Sequence, residues 1–248
     1  MTGTDNPSPD PLPCGFLVVD KPLGISSMGV VKAVRWRAGK PRTGHAGTLD
    51  PLATGVLVMC LGRQATRCVP RIHDMPKRYM TDIALDATST TEDLEGDLTP
   101  IEPAGPPPDR EAIRELLAAR FIGGIMQRPP VFSAMQIDGK RAYKLARQGK
   151  PPELKARPVV IHSIEIVQYA WPALTLDVRC GKGTYIRSLA RDIGAALGVG
   201  GYLTGLRRTE VGMFTVEQSI RLDDLPQTIG QSDLIPVSVL TEDNQTRG

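Results

Sequence analysis

The sequence predicts an α/β chain of the α+β type, and three patterns predict it. Apolar runs at 15–20 and 55–61 have the length of buried strands rather than of helices. Ile113, Leu116, Leu117 and Phe121 recur at the spacing of one helix face. Two segments, 157–168 and 174–179, alternate apolar and polar residues as a pair of strands does. At 248 residues the chain can bury a sizeable core, as one large domain or as a domain with an inserted lobe.

Residues 1–13 are polar and proline-rich, lack the basic and apolar regions of a secretory signal, and read as a disordered leader. After the first strand, Lys21-Pro22-Leu23-Gly24 breaks the chain. Ser26 or Ser27 can then cap a helix through about residue 38, because a serine oxygen accepts from unpaired first-turn amides. Next comes Gly44-His45-Ala46-Gly47-Thr48-Leu49-Asp50-Pro51. Glycine permits tight turns and Pro51 bars a regular element, so Asp50 sits at the lip of an irregular loop before the strand at 55–61. From the residues alone this is either an Asx-type turn or a loop that carries function.

A short helix over 62–73 follows, with Pro70 limiting its length, and then a strand over 77–85 bearing Tyr79. Residues 86–108 read as loop with a short strand near Leu98, and Asp109 caps the helix of Ile113 and Leu117. An Asp138-Gly139 turn leads into a basic helix over 140–149. His162, in the first of the paired strands, reads as a packed or surface histidine. Gly181-Lys182-Gly183-Thr184-Tyr185-Ile186-Arg187 opens a helix whose buried stripe is Ile186, Ala190, Ile193 and Leu197. That opening lacks the first glycine of a phosphate-binding loop, which excludes a nucleoside triphosphate site.

Net charge is only +3, but the charge is segregated. Ten Lys or Arg stand against two acids over 31–80, and eight against two over 127–157. Such segregation suits a surface that faces a polyanion, nucleic acid first, with a solvated basic face as the alternative. Cys14, Cys60, Cys68 and Cys180 form no Cys-x-x-Cys pair and the three histidines are scattered, so neither a metal nor a redox motif is expected. No long uncharged apolar run is present to span a membrane, and a cytoplasmic location is the default.

The stretch from Gly44 to Pro51, with Gly62-Arg63-Gln64-Ala65-Thr66-Arg67, resembles the active-site motif of the TruB family of tRNA pseudouridine synthases. Lys21-Pro22-Leu23-Gly24-Ile25-Ser26-Ser27, Lys77-Arg78-Tyr79, Lys182-Gly183-Thr184-Tyr185-Ile186-Arg187 and Gly205-Leu206-Arg207-Arg208-Thr209 resemble its other motifs. The resemblance runs from about residue 15 to 239. It implies a mixed, largely antiparallel central sheet flanked by helices, in a catalytic domain over 14–240. It also implies a thumb inserted at about 127–157. Many relatives carry a C-terminal module of the PUA type, whereas this chain is expected to end in a flexible tail over 241–248 without one.

The implied activity is isomerisation of uridine-55 in the tRNA T-loop to pseudouridine. Asp50 would be the catalytic carboxylate, Arg187 its partner, and Tyr79 the ring that stacks on the target uracil. Tyr185 would pack at the site, Leu206 beneath the uracil, and His45 would be the wedge left in the RNA loop. Asp93 would lie near the rim, and Lys21 would either touch phosphate or face solvent. Lys140, Arg141, Lys144 and Arg147 of the thumb would contact RNA. Three departures from the family pattern stand out: Asp86 where glycine is usual, Thr90-Thr91-Glu92 in place of the commonest wording, and Gln136 where lysine is usual. The reaction has no net redox change and consumes no water, so no cofactor is implied. The T-stem-loop of tRNA is the expected partner, with no obligate protein partner, and the chain is expected to be a monomer. Two alternatives remain at this point: a tRNA-folding factor in which catalysis is dispensable, and an RNA-guided synthase.

Overall fold

The computed structural model describes residues 12–133, 136–137, 140–141, 152 and 154–240, with backbone alone at 136–137 and 140–141. The described chain divides into two compact units, one formed by residues up to 73 and from 214 onward, the other by residues 74–213.

The first unit is built on β1 (Gly15–Lys21) and β3 (Ala53–Leu61), paired antiparallel over their length from Gly15 opposite Leu61 to Lys21 opposite Gly55. Both strands are apolar and almost wholly buried, as short uninterrupted apolar runs should be. β2 (Thr43–Ala46) pairs with the other edge of β3, and a short strand, Ile220–Arg221, lies parallel to β1. Residues near the C-terminus also close on β1, through reciprocal backbone hydrogen bonds of 2.8 Å between Phe16 and Ile235. α1 (Ser27–Arg37) is capped by Ser26, whose hydroxyl accepts from Gly29 N–H at 3.1 Å, and it buries Val30, Val31 and Val34. The expected helix over 62–73 is two helices, α2 (Gly62–Arg67) and α3 (Val69–Asp74), broken at Cys68. Pro70 does not end a helix. It stands in the first turn of α3, where the amide that proline lacks would have no helical acceptor.

The second unit carries a five-stranded, wholly antiparallel ladder. Its members are β4 (Lys77–Ala84), β7 (Gly123–Gln127), β10 (Arg157–Ala170), β11 (Ala173–Cys180) and β12 (Tyr202–Val211). Their spatial order is β12-β4-β11-β10-β7. Two hairpins lie outside it: β5 (Ala87–Ser89) with β6 (Leu98–Pro100), and β8 (Gln136–Ile137) with β9 (Lys140–Arg141). The second hairpin corrects the sequence reading, which starts a helix at Lys140. Asp-Gly is a strong two-residue hairpin signal, and the residues on either side of it pair as strands. The Asp138-Gly139 turn itself and the rest of the expected basic helix lie outside the described residues.

α4 (Arg110–Arg120) starts where Asp109 Oδ1 accepts from Ala112 N–H at 2.8 Å, and it buries Ile113 and Leu117. α5 (Ile186–Leu197) buries Ile186, Leu189, Ala190 and Ile193 in the same core as Tyr79, Ile83, Leu176 and Val178. Gly194 sits inside α5, at a cost in helix propensity that packing explains. A Cβ on Gly194 would overlap the Gly200 carbonyl, one on Gly200 the Ala87 backbone, and one on Gly201 the Ala190 carbonyl. Three glycines thus let α5, the turn after it and β5 approach backbone to backbone.

Lys77, at the start of β4, is buried and donates from Nζ to the Met75 carbonyl at 2.7 Å. Burial, with the Arg208 charge adding to it, pushes its amine down to about 8. Burial also pushes the Cys60 and Cys180 thiols up, to about 12 and about 11.

Two predictions follow from this packing. Gly200→Ala should lower the unfolding free energy by about 1–3 kcal/mol in urea titrations, because the Ala87 backbone cannot yield as a side chain tip would. The second concerns pH. The folded protein holds the Lys77 proton less tightly than the unfolded chain does, so this residue makes stability rise as pH climbs from about 8 toward 10.5. Below that window both states are protonated and the contribution is flat. The two thiols act in the opposite direction at higher pH, so the test is a difference: the unfolding free energy of Lys77→Met minus that of the wild type should fall across the window.

Candidate active site

Asp50 lies in the connection between β2 and β3, and its backbone is gripped from both sides. Its neighbour Leu49 is buried, and the Ser27 hydroxyl bridges both Leu49 backbone groups, accepting from the N–H at 2.9 Å and donating to the carbonyl at 2.8 Å. On the other side, the Pro51 carbonyl accepts from Gly24 N–H at 2.9 Å and from Lys21 Nζ at 3.3 Å. The Asp50 carbonyl accepts from Ala53 N–H at 3.0 Å, closing a four-residue turn with proline at its second position, where the fixed proline φ suits the turn. Asp50 itself is exposed. The result is an exposed aspartate on a loop whose backbone is tied on both sides. His45 precedes it on β2, half-buried and opposite Met59.

Lys21 corrects the sequence reading on both of its options. It neither faces solvent nor is placed to touch phosphate: its residue is 0 % exposed, and Nζ also donates to the carbonyls of Pro22 at 2.9 Å and Ile25 at 2.7 Å. The cause is position. Lys21 ends β1 on its buried face, where the turn at 22–25 and Pro51 present carbonyls that need a donor.

The second unit holds Tyr79, Asp93, Tyr185, Arg187 and Leu206. Arg187, in the first turn of α5, is buried. Nη1 pairs with Asp93 Oδ2 at 3.3 Å and donates to the Thr91 carbonyl at 3.2 Å, and Nη2 donates to the Phe132 carbonyl at 2.9 Å. The sequence places Asp93 at a rim, whereas the structure buries it. Its carboxylate also accepts from the Thr91 hydroxyl and from Glu95 N–H at 3.0 Å, so it serves to hold Arg187 rather than to meet a substrate. One residue earlier, Glu92 pairs with Arg191 and accepts from the Ser188 hydroxyl at 2.8 Å. Burial raises the Glu92 carboxyl above its ordinary range, against the pull of Arg191. Adjacent acids therefore meet arginines one helical turn apart on α5. Sequence reasoning passed over Glu92, Ser188 and Arg191. Their signal was there, in an Arg-x-x-x-Arg spacing and an acidic pair.

Tyr79 faces the core from β4, opposite Val178 and Arg208, with only 9 % of its surface exposed. Arg78 points the other way and spans the ladder, pairing with Asp177 at 2.8 Å and Glu210 at 3.1 Å. Leu206 is half-buried on β12, opposite Thr81. Tyr185 is half-buried just before α5. His162 is a surface residue on β10. Lys140 and Arg141 are described as strand backbone only, and Lys144 and Arg147 lie outside the described residues. Among the described residues, no three His, Cys, Asp or Glu side chains converge as a metal site, and no helix is long and apolar enough to cross a membrane.

This fold, with its mostly antiparallel ladders and few helices, is that of the pseudouridine synthases. Its overlay on a crystal structure of a Cbf5-Nop10-Gar1 complex has a TM-score of 0.66 at 32% sequence identity, covering 86% of this chain and 54% of that one. The chain belongs to the TruB family: residues 35–186 match the TruB family pseudouridylate synthase N-terminal domain, and residues 187–234 match the tRNA pseudouridylate synthase B C-terminal domain. Among its relatives is a tRNA pseudouridine synthase B of Ruegeria pomeroyi, 48% identical over 85% of this chain and 69% of that protein. Another, of the same name, from Phocaeicola vulgatus, is 44% identical over 88% of this chain and 94% of that protein.

The grip on the Asp50 loop is testable. Ser27→Ala removes both hydrogen bonds to Leu49 and should cost about 1–3 kcal/mol in chemical denaturation, since it strands two buried backbone groups. Ser27→Thr, which keeps the hydroxyl, should recover part of that loss.

Proposed function

We infer that this chain isomerises uridine to pseudouridine in tRNA, at uridine-55 of the T-loop, with Asp50 as the catalytic carboxylate. The observation that carries the reading is an exposed aspartate on a loop tied by hydrogen bonds, within a chain whose family membership extends over both matched domains. The reaction breaks an N-glycosidic bond, turns the freed uracil, and rejoins it through C5. It needs a group that acts as nucleophile or as base toward the ribose, and an ionised carboxylate does either. Nothing is oxidised and no water is consumed, so the chemistry asks for no cofactor.

A uridine inside a folded loop must first leave its stack, at a cost of a few kcal/mol, which stacking on an aromatic ring can offset. In this reading Tyr79 supplies the ring, Leu206 packs beneath the base and His45 fills the space it leaves. Arg187 is the cation that favours and orients the Asp50 carboxylate, and Asp93 holds that arginine in place. A planar guanidinium holds a carboxylate in one orientation, for which a lysine is a poorer substitute. Basic residues at 140–147 would bind phosphates and position the RNA without reading its sequence. The protein acts in the cytoplasm as a monomer with no obligate protein partner.

A second reading, guidance by a separate RNA, is favoured by the likeness to a chain of an H/ACA RNP bound to a substrate RNA, at 26% sequence identity and a TM-score of 0.63. Identities of 48% and 44% to proteins named tRNA pseudouridine synthase B weigh toward action on tRNA.

Purified protein should convert uridine-55 of unmodified tRNA with neither cofactor nor guide RNA added, read by mapping pseudouridine in the product. Asp50→Asn should abolish conversion while leaving tRNA binding in place. Conversion at the parent rate by that variant would remove Asp50 from the chemistry. Arg187→Lys should lower turnover more than binding.

A further inference from the structure

β7 ends at Gln127 and β10 begins at Arg157, and the two residues are partners in the ladder. Both reach the same turn, residues 183–185. Gln127 is 1 % exposed, and its side-chain amide pairs with both backbone groups of Tyr185: Nε2 donates to the carbonyl at 3.1 Å and Oε1 accepts from the N–H at 2.8 Å. Arg157 donates from Nη2 to the Gly183 carbonyl at 2.9 Å, and its guanidinium carbon stands 5.3 Å from the centre of the Tyr185 ring. Gln127 thus holds the tyrosine by its backbone and Arg157 holds it by its ring.

This clamp has a job that the helix leaves open. Tyr185 is the residue that caps α5, yet its side chain makes no capping hydrogen bond. A helix start leaves several amides without partners. An amide side chain can donate and accept at once, where a carboxylate only accepts and leucine does neither. Two further bonds tie α5 to the residues that follow β7: Arg187 Nη2 to the Phe132 carbonyl and Arg191 Nη2 to the Arg128 carbonyl, each at 2.9 Å. The start of α5, its first-turn arginine and the Tyr185 ring are therefore referenced to one strand end.

We propose that Gln127 and Arg157 are positioning residues for the uridine isomerisation, Gln127 setting the Tyr185 backbone and the start of α5, and Arg157 setting the Tyr185 ring. The proposal rests on the functional reading above, in which Tyr185 and Arg187 belong to the site. A merely stabilising pair would change how readily the protein unfolds and leave the chemical step alone. A positioning pair slows the chemical step at unchanged RNA affinity, because small displacements of site groups weigh heavily on rate.

The test compares single-turnover conversion of unmodified tRNA, tRNA affinity and thermal unfolding in the full chain. Gln127→Leu and Arg157→Lys should each slow conversion about tenfold, with affinity held within about twofold. If Gln127→Leu does not fold, Gln127→Glu gives the same comparison, since it keeps the acceptor for Tyr185 N–H and loses the donor. Introduced into Tyr185→Ala, Arg157→Lys should cost little further rate, because the ring it acts through is gone. An undiminished rate in these variants, or parallel losses of rate and affinity, overturns the inference. So does an Arg157→Lys penalty as large without the ring as with it. A wild-type protein that converts no uridine would overturn the functional reading and this inference together, whereas an active wild type with unaffected variants would overturn the inference alone.

Discussion

Lys21 Nζ reaches the carbonyls of Pro22, Ile25 and Pro51 from a position with no solvent exposure, and so ties the turn after β1 to the loop that carries Asp50. An ammonium group taken out of water is tolerable only where oxygens replace its hydration. Here the oxygens come from two stretches far apart in sequence, the turn after β1 and the loop before β3. These three bonds therefore form together only when both stretches stand in their native places. Ser27 adds a second tie through Leu49. With the backbone tied on either side of it, the place of Asp50 in its loop is set by main-chain contacts.

The second unit solves a related problem with opposite charges. Arg187 and Arg191 project from α5 one turn apart, and Asp93 and Glu92 meet them from a single turn of chain. Breaking one such buried pair leaves a charge without compensation, so the two ion pairs act more as a register than as a source of net stability. They fix the rotation of α5 about its axis. The backbone contacts of Gly194, Gly200 and Gly201 fix its depth, and Gln127 fixes where it starts.

Much of this was legible in the residues. Uninterrupted apolar runs gave β1 and β3, alternation gave β10 and β11, and the serine and aspartate before the apolar faces gave the starts of α1 and α4. Apart from the split helix at 62–74 and the hairpin at 136–141, whose causes are local, what was missed or misread depended on a partner distant in the chain. β7, Gly-Gly-Ile-Met-Gln, has neither alternation nor β-branched density beyond one isoleucine, and it is a strand because β10 pairs with it. Lys21 looks like any surface lysine until the carbonyls around it are placed. Gln127 carries no local signal at all, since its amide is spoken for by a residue 58 positions away. The resemblance placed Asp93 near the site, but its burial and its arginine could be read only from the fold.

The seam between the two matched domains falls after residue 186, inside the opening turn of α5. A chimera joined there would draw its cap residue Tyr185 from one parent and its arginines from the other. The acids that pair with those arginines, and the glutamine that holds the cap, would come from the first parent alone. Recombination between relatives is therefore safest when the crossover falls beyond Arg191, so that Glu92, Asp93, Gln127, Tyr185 and both arginines are inherited as one block.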